Sequence, residues 1–266
     1  MYRCPLCREI LSQQNNAWRC INGHQFDIAR EGYVNLLPVQ HKKSLDPGDN
    51  AEMIQARRAF LDAGHYQFLA EAISQQLAAV LQGAGALLDL GCGEGYYSAK
   101  VAAALAGVDV FGLDISKTAV RYAAKRYTNL LCCVASSYAL PFADGFFAGL
   151  LRIYAPSDAN EMARVLRPGG YLLTVSPAPE HLLQFKQQAY ATVRLHPDTV
   201  KQEAGFSHVK RQRLQSLWQA PDAATMLQLI EMTPLAYKLN ATMRELLCQQ
   251  FPAIQLDFYL DLYQKD

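Results

Sequence analysis

The period of the apolar positions changes along the chain, and the changes divide it. Between residues 51 and 81 apolar side chains recur every three or four positions, which predicts two amphipathic helices, over 51–63 and 67–81. From residue 86 the pattern becomes short apolar runs closed by glycine. Ala86-Leu87-Leu88-Asp89-Leu90 reads as a buried strand, 91–95 as a loop and 96–106 as an alanine-rich helix. A second run, 108–113, reads as a strand ending at Asp114, and Ser116 beyond it is suited to cap the next helix. Residues 171–176 read as a fifth strand, and the stretches 204–214 and 254–262 as two late strands. Strands alternating with helices predict an α/β fold built on a doubly wound sheet.

Pro38, Pro47 and Gly48 punctuate a linker over 36–50. The expected division is a small module over 1–35, a linker and first helix over 36–66, and the main domain over 67–266. The 266 residues are 51% hydrophobic and 18% charged, enough for one large core with a small appendage. No apolar run reaches the roughly 18 residues that a membrane span needs, so no membrane partner is expected. Met1-Tyr2-Arg3-Cys4-Pro5 leads straight into cysteine-rich sequence, so the expected compartment is a reducing cytoplasm. There, seven cysteines serve metal or redox chemistry and not a disulfide framework. A net charge of +1 makes the chain as a whole no obvious polyanion binder. Two basic clusters, residues 1–45 and Lys210-Arg211-Arg213, fit either solvated faces or nucleic-acid contacts.

Cys4 and Cys7 enclose two residues, and Cys20 and His24 enclose three, with Gly23 supplying freedom for a tight turn. Two short chelating turns are the simplest way to bring three thiolates and an imidazole onto one tetrahedral zinc ion. A thioredoxin-like redox pair at Cys4 and Cys7 would need a strand–helix context that the sequence lacks. Four protein ligands leave no open position, so Cys4, Cys7, Cys20 and His24 predict structural zinc. Cys92, Cys132, Cys133 and Cys248 lie in apolar surroundings and read as core residues.

Behind Asp89 the glycines Gly91, Gly93 and Gly95 alternate, and Asp114 stands about twenty residues further on, at the tip of the second strand, where a ribose would lie. A nicotinamide loop would space its glycines G-x-G-x-x-G. The Asp-Leu-Gly-Cys-Gly-Glu-Gly stretch instead resembles the first motif of class I S-adenosylmethionine-dependent methyltransferases. Leu140-Pro141-Phe142 with Asp144, and Val165-Leu166-Arg167-Pro168-Gly169-Gly170, are similar to two later segments of that class. The resemblance implies that Asp89, Gly91 and Gly93 form the methionine side of a S-adenosylmethionine site and that Asp114 holds the ribose. Ser136 stands where many such enzymes carry an aspartate for the adenine amine.

Nearly the whole chain resembles one narrower family, the bacterial 23S rRNA (guanine-N1)-methyltransferases. The matching segments include Cys-Pro-Leu-Cys at 4–7, Gln25-Phe26-Asp27, Glu31 to Pro38, Lys42-Lys43 through Asp49, Arg57 to Leu61 and Gly64-His65-Tyr66. Arg152-Ile153-Tyr154-Ala155-Pro156 and Met232-Thr233-Pro234 follow. The resemblance implies cofactor contacts from Tyr66, Gly93, Glu94 and His181. It implies a guanine in the hairpin 35 loop of 23S rRNA as methyl acceptor, and a homodimer. Tyr66 precedes the first strand and His181 follows the fifth, which suits both to the carboxyl edge of the sheet. Packing alone would also account for Tyr66, and an exposed first helical turn for His181.

Guanine N1 must lose a proton before it attacks a methyl group, so charge accumulates on O6. Tyr154 is expected to stack on the base and Arg152 to stabilise that charge. A salt bridge at Arg152 and a packed ring at Tyr154 are the alternatives. Asp158 and Glu161 are either bases or acidic residues at a helix N-terminus. Two other functions fit part of the sequence: a quinone- or lipid-type methyltransferase, which has no use for a zinc module, and a non-catalytic RNA-binding assembly factor of the same fold.

Overall fold

A computed structural model describes residues 1–38, 50–83 and 85–266. Lys42, Lys43, Asp46, Pro47, Gly48 and Asp49 lie outside the described residues. The N-terminal module is a small antiparallel sheet of β1 (Ser12–Gln14), β2 (Ala17–Arg19) and β3 (Gln25–Asp27). The main sheet is built from β4 (Val34–Asn35), β5 (Gly85–Leu90), β6 (Val108–Asp114), β7 (Leu131–Val134), β8 (Phe147–Ile153), β9 (Leu166–Pro177), β10 (Phe206–Trp218) and β11 (Ile254–Lys265). Among the described residues its order is β10-β11-β9-β8-β5-β6-β7-β4. The strands from β4 to β9 pair in parallel, and β11 lies antiparallel between β9 and β10.

The chain winds outward from β5 through β6 to β7 and then returns to lay β8 on the other side of β5. The crevice beyond the carboxyl ends of β5 and β8 is therefore the topological switch point, where ligands of open α/β sheets bind. Short side-chain caps start the helices around this sheet. Asn50 caps α1 (Ala51–Asp62), Ser116 caps α4 (Lys117–Arg126) and Asp158 caps α5 (Ala159–Val165), each oxygen accepting a backbone N–H three residues on. Further helices are α2 (Gln67–Leu81), α3 (Tyr96–Ala104), α6 (Leu183–Ala189), α7 (Ala223–Glu231) and α8 (Ala241–Gln250). None of the described helices is long and apolar enough to cross a membrane.

Alternating strand residues divide the core between two faces. On one, Leu69, Ile73 and Leu77 of α2 and Leu229 and Ile230 of α7 pack with Leu87, Leu151, Leu173 and Phe258. On the other, Tyr2 and Leu11 of the module pack with Leu88, Phe111, Phe142, Phe147 and Leu150. Tyr2 lies edge-on to Phe111 and tilted against Phe142, and the Arg3 N–H donates to the Pro141 carbonyl at 2.8 Å. The module thus shares the core of the sheet.

Two strands differ from their expected extents. The 204–214 strand runs instead from Phe206 to Trp218, because its residues pair with β11 as far as Trp218 opposite Ile254, with one irregularity at Val209. The Arg167–Gly170 turn, expected to precede the fifth strand, is an irregularity inside β9. Phe147 faces Leu166, while Gly149, two positions on, already faces Tyr171.

Candidate cofactor and metal sites

The glycine loop is fastened to the neighbouring strand. The Gly91 and Cys92 N–H groups both donate to the Leu113 carbonyl, at 2.8 and 3.0 Å, and the Gly93 N–H donates to Asp114 Oδ2 at 2.9 Å. The Ser116 N–H donates to Asp114 Oδ1 at 2.8 Å, so both oxygens of the carboxylate are fixed at the strand tip. Gly91 has φ +75°, and a Cβ there would come within 2.6 Å of the Ala155 Cβ. Gly93 has φ +55° and nothing within 4 Å of where its Cβ would project, so the loop opens onto free space at that point.

Asp89 lies beneath the loop, 2% exposed. Ser98 Oγ donates to its Oδ2 at 2.5 Å, while Oδ1 is buried with no hydrogen-bond partner. Burial, opposed by the Ser98 hydrogen bond and reinforced by the Asp114 charge, pushes its carboxyl up to about 7. A buried orphan acceptor, an open glycine cradle and a fixed strand-tip carboxylate form a donor and acceptor set that fits a nucleoside bearing an amino-acid tail, such as S-adenosylmethionine.

Other expected cofactor residues gather at the same edge. Glu94 is 4% exposed and immediately precedes the Gly95 cap of α3. The Ala135 N–H donates to the Asp114 carbonyl at 3.0 Å, which sets Ser136 beside the aspartate, although Ser136 Oγ accepts from the Tyr138 N–H in a local turn. Tyr66 is buried edge-on between Phe60 and Phe258, and burial pushes its phenol up. His181 is buried, not in an exposed helical turn, with its ring 4.6 Å from Phe258 and 6.3 Å from Tyr154. Its Nδ1 accepts the Asp257 N–H at 3.2 Å. Burial, with help from the His196 and Lys186 charges, pushes it down to about 3. The imidazole is neutral, with its proton assigned to Nε2. Phe258 touches Tyr66, Tyr154 and His181 and so ties three distant parts of the sequence together. Sequence reading did not find it, because the pairing of β11 with β9 is not encoded locally.

Arg152 and Tyr154 end β8 differently. Arg152 is 8% exposed and donates to Glu203 Oε1 at 2.5 Å and to Ser157 Oγ at 3.0 Å. The salt bridge left open by the sequence is present, and Glu203 was not anticipated. Tyr154 sits at φ +54°, the residue 50% exposed while burial pushes its phenol well up. Asp158 caps α5, and Glu161 is held by Arg164 while accepting the Leu140 N–H, so both carboxylates are in structural use. Arg211 and Arg213 form two-point ion pairs with Asp261 and Asp257, so most of the second basic cluster is neutralised within the fold.

Cys4, Cys7, Cys20 and His24 converge, their ligand atoms all within 4.8 Å of one another. Cys4 Sγ and Cys20 Sγ lie 3.5 and 3.4 Å from His24 Nδ1, and Cys7 Sγ lies 3.7 Å from Cys20 Sγ. Thiolates about 2.3 Å and an imidazole about 2.0 Å from one tetrahedral centre would be separated by roughly 3.5–3.8 Å. The cluster fits structural zinc. Tight turns hold it: the Arg8 N–H donates to the Cys4 carbonyl and the Gly23 N–H to the Cys20 carbonyl.

Fold, glycine loop and metal cluster define a class I S-adenosylmethionine-dependent methyltransferase carrying a zinc ribbon. Residues 2–45 match the N-terminal zinc ribbon of RlmA proteins, and residues 87–170 match a methyltransferase domain. The chain is 41% identical to a 23S rRNA (guanine(748)-N(1))-methyltransferase of Streptomyces fradiae, over 68% of this chain and 65% of that relative. It is 39% identical to a putative 23S rRNA (guanine-N(1)-)-methyltransferase of Micromonospora griseorubida, over 68% of this chain and 67% of the relative. A Bacillus subtilis protein described in the same words is 32% identical over 89% of this chain and 87% of its own length. The chain belongs to the 23S rRNA (guanine-N1)-methyltransferase family.

Proposed function

We propose that the chain methylates N1 of one guanine in the hairpin 35 loop of 23S rRNA, acting as a homodimer in the cytoplasm. The observation that carries the reading is the shared sheet face. The zinc ribbon packs through Tyr2 and Leu11 on the face toward which Arg152 points, so RNA held by the ribbon reaches the end of β8 directly. Residues 1–35 grip the hairpin backbone, and the loop guanine reaches the site splayed from its neighbours.

Gly91, Gly93, Asp89 and Asp114 hold the cofactor, with Ser136 at the adenine edge and Tyr66, Glu94 and His181 closing the site. S-adenosylmethionine supplies an electrophilic methyl on a sulfonium. Tyr154 stacks on the guanine and aligns N1 with that methyl, since collinearity supplies much of the acceleration. Arg152 stabilises charge on O6 as the N1 proton departs. A small-molecule methyltransferase would leave the ribbon without a task.

The test is label transfer from the cofactor to a 23S rRNA fragment containing hairpin 35, followed by primer extension. The expected result is a stop at one guanine, because N1 methylation blocks pairing. Labelling of a lipid extract in place of RNA, or cofactor binding with no transfer, would overturn the proposal.

A further inference from the structure

A cavity of about 500 Å³ opens beside the end of β8, within the usual range for ligand pockets. Its walls include Arg152, Tyr154 and Ala155, Thr174 of β9, Asp261 of β11 and Lys201 from the connection that precedes β10. Ala155 joins it to the cofactor loop, being the residue that a Cβ on Gly91 would strike. Tyr154 and Tyr138 stand at its walls, the residues 50% and 59% exposed although the Tyr154 phenol is buried, and they are the aromatic groups offered to a flat base.

The charges behind these walls are unequal. Arg152 and Lys201 both bond the same oxygen of Glu203, at 2.5 and 2.8 Å. Arg211 is matched by Asp261. The Arg152, Lys201 and Glu203 group therefore keeps one surplus positive charge. Glu203 itself is 6% exposed and is not among the cavity-lining residues. Asp198, a carboxylate outside the cavity lining, is bonded to the Tyr259 hydroxyl and lies 3.9 Å from Arg211; its side chain is 75% exposed and that of Lys201 69%, so solvent screens both charges.

We infer that this cavity is the acceptor-base pocket, and that Glu203 is the positioning residue that fixes the Arg152 guanidinium against guanine O6 while Lys201 adds the surplus charge. The inference rests on the guanine-N1 reading above. With Nη2 held by Glu203 and Nη1 by Ser157 Oγ and Met162 Sδ, the guanidinium is fixed in the cavity wall, ready for the charge that gathers on O6 when the N1 proton leaves. In that step the N1–carbon bond forms as the carbon–sulfur bond breaks, its electron pair leaves on sulfur, and the N1 proton passes to water.

The test uses the full, zinc-loaded chain and the hairpin 35 fragment. Glu203→Gln is expected to lower kcat roughly ten- to hundredfold, the scale of a misplaced oxyanion donor. The RNA KM and the affinity for S-adenosylhomocysteine should stay within about twofold, since the residue acts only through Arg152. Combining it with Arg152→Gln should add less than about twofold to the loss from Arg152→Gln alone. Unchanged kcat, weakened cofactor binding or additive losses would overturn the role of Glu203. Should that variant not fold, Thr199→Trp, an exposed change at a cavity-lining residue, decides the pocket. It should abolish RNA methylation and spare cofactor binding, and normal methylation by it would sink the inference. Wild-type protein that methylates no rRNA fragment would instead sink the function reading.

Discussion

Replacing Asp89 by asparagine removes one ionisable carboxyl and keeps its shape, so the effect on stability should depend on pH in a calculable way. In the folded chain the carboxyl is almost fully enclosed, and burial raises it from 3.8 to about 7. The unfolded chain ionises near the ordinary value. Between the two, the folded state keeps a proton that the unfolded state has lost, so stability falls as pH rises and levels off above pH 7. At about 1.4 kcal/mol per pH unit the full loss is a little over 4 kcal/mol. Relative to Asp89→Asn, the wild type should therefore lose roughly 2–3 kcal/mol between about pH 5 and pH 7.5. Urea denaturation of both proteins, zinc-loaded and without cofactor, across that range measures the difference. Any constant cost of placing an amide beside Ser98 cancels in the comparison. Two curves that stay parallel would show that Asp89 ionises normally, and the argument from desolvation would be wrong.

The metal cluster and the loop make two further predictions. Stripping zinc should release the ribbon, because structural zinc supplies about 10–16 kcal/mol to such small modules, and should uncover the Phe111 and Phe142 surface on which Tyr2 rests. Elemental analysis beside a melting curve checks this; an unchanged melt in metal-free protein would count against it. Gly91→Ala forces a side chain into a left-handed conformation, costing about 1–2 kcal/mol, and drives it against Ala155. Calorimetry with S-adenosylhomocysteine should show at least about tenfold weaker binding, and wild-type affinity would refute the tight contact.

Local signals carried the metal cluster and the cofactor loop. Cys4 and Cys7, like Cys20 and His24, sit within single turns, so their spacing is a property of short chain segments. The loop from Gly91 to Gly95 likewise follows its strand directly, and Asp114 ends the next one. The capping role of Ser116 was legible for the same reason, since a cap acts over three residues. The length of β10 was not. Its polar alternation from Lys210 to Ser216 suits an edge strand or a loop equally, and only β11 alongside it decides.

The sequence by itself therefore determined the α/β class, the zinc ligands and the glycine cradle, because each depends on residues a few positions apart. The tertiary structure alone decided that Glu203 and Lys201 meet Arg152, and that Phe258 joins Tyr66 to His181. It alone decided that the second basic cluster is spent on Asp257 and Asp261. Those contacts span fifty residues or more for Glu203 and almost two hundred for Phe258 and Tyr66. Which partners meet over such separations is set by strand order and sheet face, and neither has a local signature in the chain.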